Sequence, residues 1–398
     1  MAAVSARRFL LLFLLLAGVR FAVVPIALSS DATAPSKHRI LPGDVRRYHQ
    51  VATEDGRPYR DFAFEYPPVM VAAIEAVDGG SIRSTTVRLM WSQLVVDLAI
   101  AAVVAWAWGR RAGIAYLVLG LPFLVYPFLY LRLDLLSVFL AVLAAALVRR
   151  RHPYAGGTAL TVACFAKVWP LVLVPMLVVR RAWRALGAFV ASFVVGLTAW
   201  IAWGGIDGPV QVLTTRGAKG WEFESTVGAL VRSIGSSNPH LERYAWRVGE
   251  VSDWARNLLA LALLATVAVV WVLASRAKTA GPGVLDGLAP MAGITAFLVL
   301  SPLLSPQFLA WLLPFAAIAV AYGERLVAGL TFVASGLSVA LLALLPELID
   351  GGTLALFVLA VRNAVLIALL AVLATRLVQR AGFRRAPSQL EPASEIAA

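Results

Sequence analysis

The chain has 398 residues, 60% of them hydrophobic and only 14% charged, with a mean hydropathy of +0.81. That balance excludes an ordinary soluble domain and places the chain among polytopic membrane proteins. The formal net charge of +13 falls in short Arg clusters between apolar spans, which the positive-inside rule explains without nucleic acid as a partner.

Cys164 is the only cysteine, so no intramolecular disulfide and no Cys-based metal site is expected. His38, His49, His152 and His240 are scattered without the spacing of a structural zinc site.

In chain order, Arg7-Arg8 precede an apolar run over 9–28, long enough to cross the hydrocarbon core. It reads as an uncleaved first helix running outward. Residues 29–86 then form a first external loop, in which 67–77 is apolar but too short to span and reads as an interfacial helix. Residues 87–108 return to Arg110-Arg111. Residues 113–131 go out and 133–148 come back to Arg149-Arg150-Arg151. The apolar stretch 154–179 has basic clusters at both ends. Both ends must then lie on one side, which requires two short helices broken near Lys167-Val168-Trp169-Pro170.

Residues 183–203 go out, and 204–256 form a second large external loop. The spans 257–275, 284–304, 307–322, 326–345 and 353–377 alternate from there. The expectation is an all-α, polytopic transmembrane bundle of about 12 membrane helices with both termini inside. One transmembrane domain covers 1–378, and 379–398 is a polar, disordered tail on the inner side.

The polar residues that remain concentrate in the two external loops, and ionisable groups at membrane depth are costly and commonly functional. The first loop holds Asp44, Tyr48, Asp61, Glu65 and Tyr66 among several arginines. Asp44 is suited to take a proton from a sugar hydroxyl as general base, to ligate a divalent cation, or simply to cap a helix. Arg20, inside the first span, either contacts a lipid phosphate or snorkels to the headgroups. Arg132 and Asp134 sit at an outer boundary, as an ion pair or as substrate-orienting groups. Lys167, in the break of the short pair, needs an anion, either a lipid phosphate or a partner such as Asp134 or Glu224.

The segment from Arg216 to Ser225 contains Trp221 and Glu224, the apolar face and acceptor that a pyranose site uses. An amphipathic solvated segment would look the same. Gln307, after Ser305-Pro306, reads either as cavity lining or as part of a Pro-broken hairpin. No phosphate-binding glycine loop and no nucleotide-sugar domain is present.

Taken together, these residues resemble the actinobacterial members of glycosyltransferase family 87, within the GT-C superfamily. The likeness rests first on Gly43-Asp44, Tyr48 and the run from Gly56 to Pro68. It continues through Arg132-Leu133-Asp134, Lys167-Val168-Trp169-Pro170, Glu224-Ser225 and Ser305-Pro306-Gln307-Phe308. It implies an integral plasma-membrane enzyme with its active site on the extracytoplasmic side. It implies inverting transfer of a sugar, mannose first, from a polyprenyl-phosphate donor to a cell-envelope glycolipid or polysaccharide. Asp44 is the position matching the family's catalytic Asp, and no cofactor is implied. Mannosyltransferases of the family often carry histidines after the late Ser-Pro. Here Gln307 follows and no histidine lies beyond His240, which leaves arabinose open. The rival class is a transporter or lipid-linked-sugar flippase, which would place polar breaks in matching positions of two similar halves.

Overall fold

The computed structural model describes residues 6–33, 43–214, 217–234, 238–243, 245–277, 281 and 283–382. The chain folds as an all-helical bundle with one small sheet at one end. Helix α1 spans Ala6–Thr33, α2 Gly43–Thr53, α3 Pro68–Val77 and α4 Ile82–Trp108. Next come α5 (Arg110–Leu119), α6 (Pro122–Val125), a 3-10 turn over Pro127–Leu131, and α7 (Asp134–Arg149). Helix α8 (Pro153–Ala166) is followed by a 3-10 turn over Trp169–Leu173 and by α9 (Val174–Val179), then by α10 (Trp183–Gly204) and α11 (Asp207–Leu213).

The segment after α11 carries β1 (Trp221–Glu222), α12 (Thr226–Ile234), β2 (His240–Glu242) and β3 (Ala245–Val248). The remaining helices are α13 (Asp253–Arg276), α14 (Ala289–Leu300) behind a π turn over Val284–Leu288, and α15 (Leu313–Ala321) behind a 3-10 turn over Pro306–Trp311. The last are α16 (Arg325–Ala343), α17 (Leu345–Asp350) and α18 (Thr353–Arg380).

Six of these helices, α1, α4, α10, α13, α16 and α18, are long and apolar enough to cross a membrane. The other expected spans are shorter and broken. Helix α8 has 14 residues and so rises about 21 Å, against a hydrocarbon core of about 30 Å. Each short helix pair turns around at one end of the bundle through broken backbone: 120–133, which holds only the one-turn α6 and a 3-10 turn, 167–168 and 301–305. Backbone of that kind within a bilayer is tolerated where it lines protein or a cavity. The three breaks therefore leave a recess at that end.

The predicted break at Lys167 has a local cause. The backbone leaves the helix at Lys167 with φ −151° and ψ 152°, and Pro170 sits in the turn that follows. Proline cannot donate the helical hydrogen bond back to Ala166, and its ring clashes with that carbonyl, so α8 cannot continue through it. On the other side of α8, the chain packs against α10 at Gly157. A Cβ there would lie 2.1 Å from the Ala185 carbonyl oxygen, so no other residue fits.

The opposite end carries the basic clusters. There Asp286, almost fully buried, is held by Arg149 at 3.0 Å and by Arg180. Glu324 pairs with Arg376 and Arg380. Helix α18 runs to Arg380, so its last residues are helical where the sequence suggests a tail. Residues 383–398 lie outside the described residues.

The sheet is the feature absent from the expectation. Its order is β1-β3-β2, all antiparallel, with Trp221 opposite Val248 and Glu222 opposite Arg247. Trp221, Phe223 and Val248 form a second apolar cluster with Leu341, Leu348 and Leu359 of α16, α17 and α18. That cluster seats the segment on the end of the bundle, over the recess.

Candidate active site

The recess is a cavity of about 590 Å³. Each wall comes from one of the elements that stop short. Helix α2 contributes Asp44 and Arg47. The loop after it contributes Glu65, Tyr66 and Pro67. The three breaks contribute Arg132, Lys167 and Gln307, and the sheet segment contributes Glu222, Glu224, Arg243 and Arg247. With Arg256, six basic side chains face four carboxylates in a lining that is otherwise largely apolar. Such a cavity favours a net anionic ligand with an apolar portion.

The carboxylates are each engaged differently. Asp44, in the first turn of α2, forms an ion pair with Arg132, and Arg132 lies over the Phe128 ring at 4.6 Å. Arg47 and Glu65 pair directly. The Lys167 ammonium donates to Asp134 Oδ1 at 2.6 Å and sits over the rings of Tyr66, Phe308 and Trp311 at 5.5, 4.8 and 5.4 Å. Cation–π contact of that kind steadies an ammonium away from bulk water. Trp311 Nε1 donates to the same Asp134 oxygen at 3.1 Å, and Trp169 stacks on Trp311 at 5.1 Å. Asp134 thus stands behind the cavity wall and fixes both the cation and the aromatic platform.

Glu222 pins the sheet segment to the third break. Its backbone N–H donates to the Pro302 carbonyl at 3.1 Å, and its carboxylate accepts from Leu304 N at 2.8 Å. Burial holds its carboxyl above the usual range, against the pull of Arg247 and this hydrogen bond. Glu224 is 5% exposed. Burial is the largest influence on it and pushes its carboxyl up to about 7, while Arg362 and Arg132 lower it and Glu222 raises it.

That shift carries a stability prediction. Below about pH 4.5 the carboxyl is protonated in both the folded and unfolded chain and costs nothing. Between about 4.5 and 7 the unfolded chain holds fewer protons, so folded-state stability falls as pH rises, then levels off. Glu224→Gln removes this dependence and raises the unfolding temperature at pH 8 relative to the parent, by the equivalent of roughly 3 kcal/mol at most. Thermal unfolding of purified protein at pH 5 and pH 8 checks it. An unchanged gap between the two pH values in the variant would show that Glu224 is not the group responsible.

Of the residues singled out from sequence, the structure brings Asp44, Glu65, Tyr66, Arg132, Lys167, Glu224 and Gln307 to one cavity, with Asp134 directly behind Lys167. It places four elsewhere. Arg20 is 1% exposed and donates to Asp97 at 2.9 Å and to the Leu117 carbonyl at 2.7 Å. Tyr48, on α2, is buried in the core and does not line the cavity. Asp61 accepts from Arg57 N at 2.6 Å and closes a turn in which Gly56 has a φ of +109°, a conformation glycine adopts without strain. Trp221 lies in the apolar cluster under the sheet. Arg216 lies outside the described residues.

Trp311 is a cavity residue not singled out from the sequence. Its signal is its place three residues after Phe308, which one 3-10 turn puts on the same face. Among the described residues, no three His, Cys, Asp or Glu side chains gather as a metal-holding group.

No curated protein matches this sequence. A protein-family model does: glycosyltransferase family 87, over residues 64–306. That stretch runs from the loop before α3 through the third break, and includes Glu65, Arg132, Lys167, Glu224 and the backbone that presents Gln307. The chain therefore belongs to glycosyltransferase family 87 and is a membrane-embedded glycosyltransferase.

Proposed function

We propose that the protein transfers a sugar, mannose first, from a polyprenyl-phosphate donor to a cell-envelope glycolipid or polysaccharide, at the extracytoplasmic face of the plasma membrane. The observation that carries this reading is the meeting of Asp44, Arg132 and Lys167 on one recess, with apolar walls from α11 and α13. A lipid-linked donor needs a cation for its phosphate, an apolar path for its chain, and a base for the incoming hydroxyl. This recess offers all three.

The chemistry is a single displacement. The acceptor hydroxyl oxygen attacks the anomeric carbon as Asp44 takes its proton. The bond from that carbon to the phosphate oxygen breaks, and polyprenyl phosphate leaves with the electron pair. The configuration at the carbon inverts. Lys167 keeps two N–H donors beyond the one given to Asp134, and Arg132 lies beside Asp44. These two cations stabilise the charge that grows on the phosphate. The leaving group is already an anion, so no general acid is required.

The test is direct. Purified full-length protein is incubated with radiolabelled polyprenyl-phosphate mannose and membrane glycolipid acceptors, and labelled product is followed. Transfer from the lipid-linked donor but not from nucleotide sugars supports the reading. Transfer from nucleotide sugars alone sinks it.

The orientation follows from the charge asymmetry, because basic clusters stay on the cytoplasmic side. The native Cys164 is buried, so single cysteines report cleanly. A cysteine at Leu241, which is 64% exposed on β2, reacts with an impermeant maleimide in whole cells. One at Arg151, beyond α7, reacts only after lysis. The reverse pattern would put the cavity on the cytoplasmic side.

A further inference from the structure

We propose that Glu224 and Gln307 read the ring hydroxyls of the transferred sugar, which lies on the Phe308–Trp311 stack. The inference rests on the donor reading above and deepens it. Gln307 is 6% exposed, yet its Oε1 has no hydrogen-bond partner in the protein. Glu224 Oε2 is also buried without a hydrogen-bond partner. The nearby Arg362 Nη2 stands 3.7 Å from it, beyond hydrogen-bond reach, and donates instead to the Glu224 carbonyl at 2.7 Å. Both side chains line the cavity. Buried polar atoms are nearly always paired. Two acceptors without a hydrogen-bond partner, on side chains that line one cavity, therefore await donors from whatever fills it, and sugar hydroxyls are such donors.

The platform is beside them. Phe308 and Trp311 stack with ring centroids 4.4 Å apart and 23° between planes, and both line the cavity. Trp169 covers the other face of Trp311, so Phe308, the half-buried ring of the pair, offers the apolar face to the C–H side of a sugar ring. Lys167 lies 4.8 Å from the Phe308 centroid, so a phosphate held at Lys167 leaves its sugar over the same rings. The two segments are tied together because Glu222, two residues before Glu224, accepts from the N–H of Leu304, three residues before Gln307.

Purified full-length protein is assayed at pH 8 with farnesyl-phosphate mannose and its monodeoxy analogues, one for each ring hydroxyl. The parent protein should lose at least about tenfold in kcat/KM for one or two of these analogues, the cost of leaving one acceptor unpaired. In Gln307→Leu the penalty for one such analogue should vanish. In Glu224→Gln the penalty for the other should shrink. Gln307→Glu, which keeps an acceptor, should restore the discrimination that Gln307→Leu removes, and thereby separates reading from folding. Equal use of all analogues by the parent, or full discrimination retained in both folded variants, overturns the proposal. A parent inert toward the undeoxygenated donor rejects the donor reading itself and this inference with it. That failure is distinct because no analogue comparison is then needed.

Discussion

Asp44→Asn abolishes measurable transfer while the protein stays folded and still binds donor. The amide keeps the size and the acceptor oxygen but cannot take a proton at neutral pH, and general-base assistance is typically worth about 10²–10⁴ in rate. The variant also gives up the charge on one side of the Asp44–Arg132 pair. That pair is partly solvent-exposed, and pairs of this kind contribute about 0–1 kcal/mol, so folding survives. Asp61→Asn is the control: Asp61 closes a turn away from the cavity, so its turnover stays near the parent's. Glu224→Gln tests a second carboxylate of the cavity. Near-normal turnover in Asp44→Asn together with a dead Glu224→Gln would move the base to the sheet segment. Steady-state kinetics with a thermal unfolding check on each variant decides between these outcomes.

The sequence is a good guide to this fold where a single physical pressure acts. Twenty apolar residues in a row have one stable answer in a bilayer, and the long helices α1, α4, α10, α13, α16 and α18 follow it. The break at Lys167 is legible because two basic clusters flank one apolar stretch and Pro170 follows the lysine. The short strands are not legible in the same way. β1 has two residues and β3 four, too few for a period-two pattern to stand out, and the alternation Trp221-Glu222-Phe223-Glu224 is the only trace. Trp221 packs in the apolar cluster with α16–α18 and does not line the cavity, whereas Glu222, Phe223 and Glu224 do.

The candidate site shows the same division. Arg132, Lys167 and Gln307 reach the cavity because they sit where short helices break at one end of the bundle, and Asp44 because α2 packs at that same end. What sequence spacing does not reveal is pairing across the bundle. Lys167 meets Asp134 from 33 residues away, and Glu224 meets Arg362 from 138 away. Whether a buried cation is spent on a neighbour or kept for a ligand depends on those pairings.

Arg20 is the case where that distinction has the largest consequence. The sequence left it open between a phosphate contact and snorkelling, and in the fold it does neither. Its guanidinium is held by Asp97 at 2.9 Å and by the Leu117 carbonyl, while Tyr116 and Tyr130 donate to the same carboxylate at 2.6 and 2.8 Å. This knot joins α1, α4, α5 and the turn before α7. Arg20→Met leaves Asp97 buried without its counter-charge, and breaking a buried pair in this way costs about 3–5 kcal/mol. The expected result is a large fall in unfolding temperature, with the KM for donor unchanged in the protein that remains folded. Asp97→Asn added to Arg20→Met removes the uncompensated charge and recovers a substantial part of the loss, since replacing both partners of a buried pair is far cheaper than removing one. Unfolding curves of the single and double variants, with donor kinetics alongside, separate the alternatives. A stable Arg20→Met protein with a raised donor KM would return Arg20 to the phosphate.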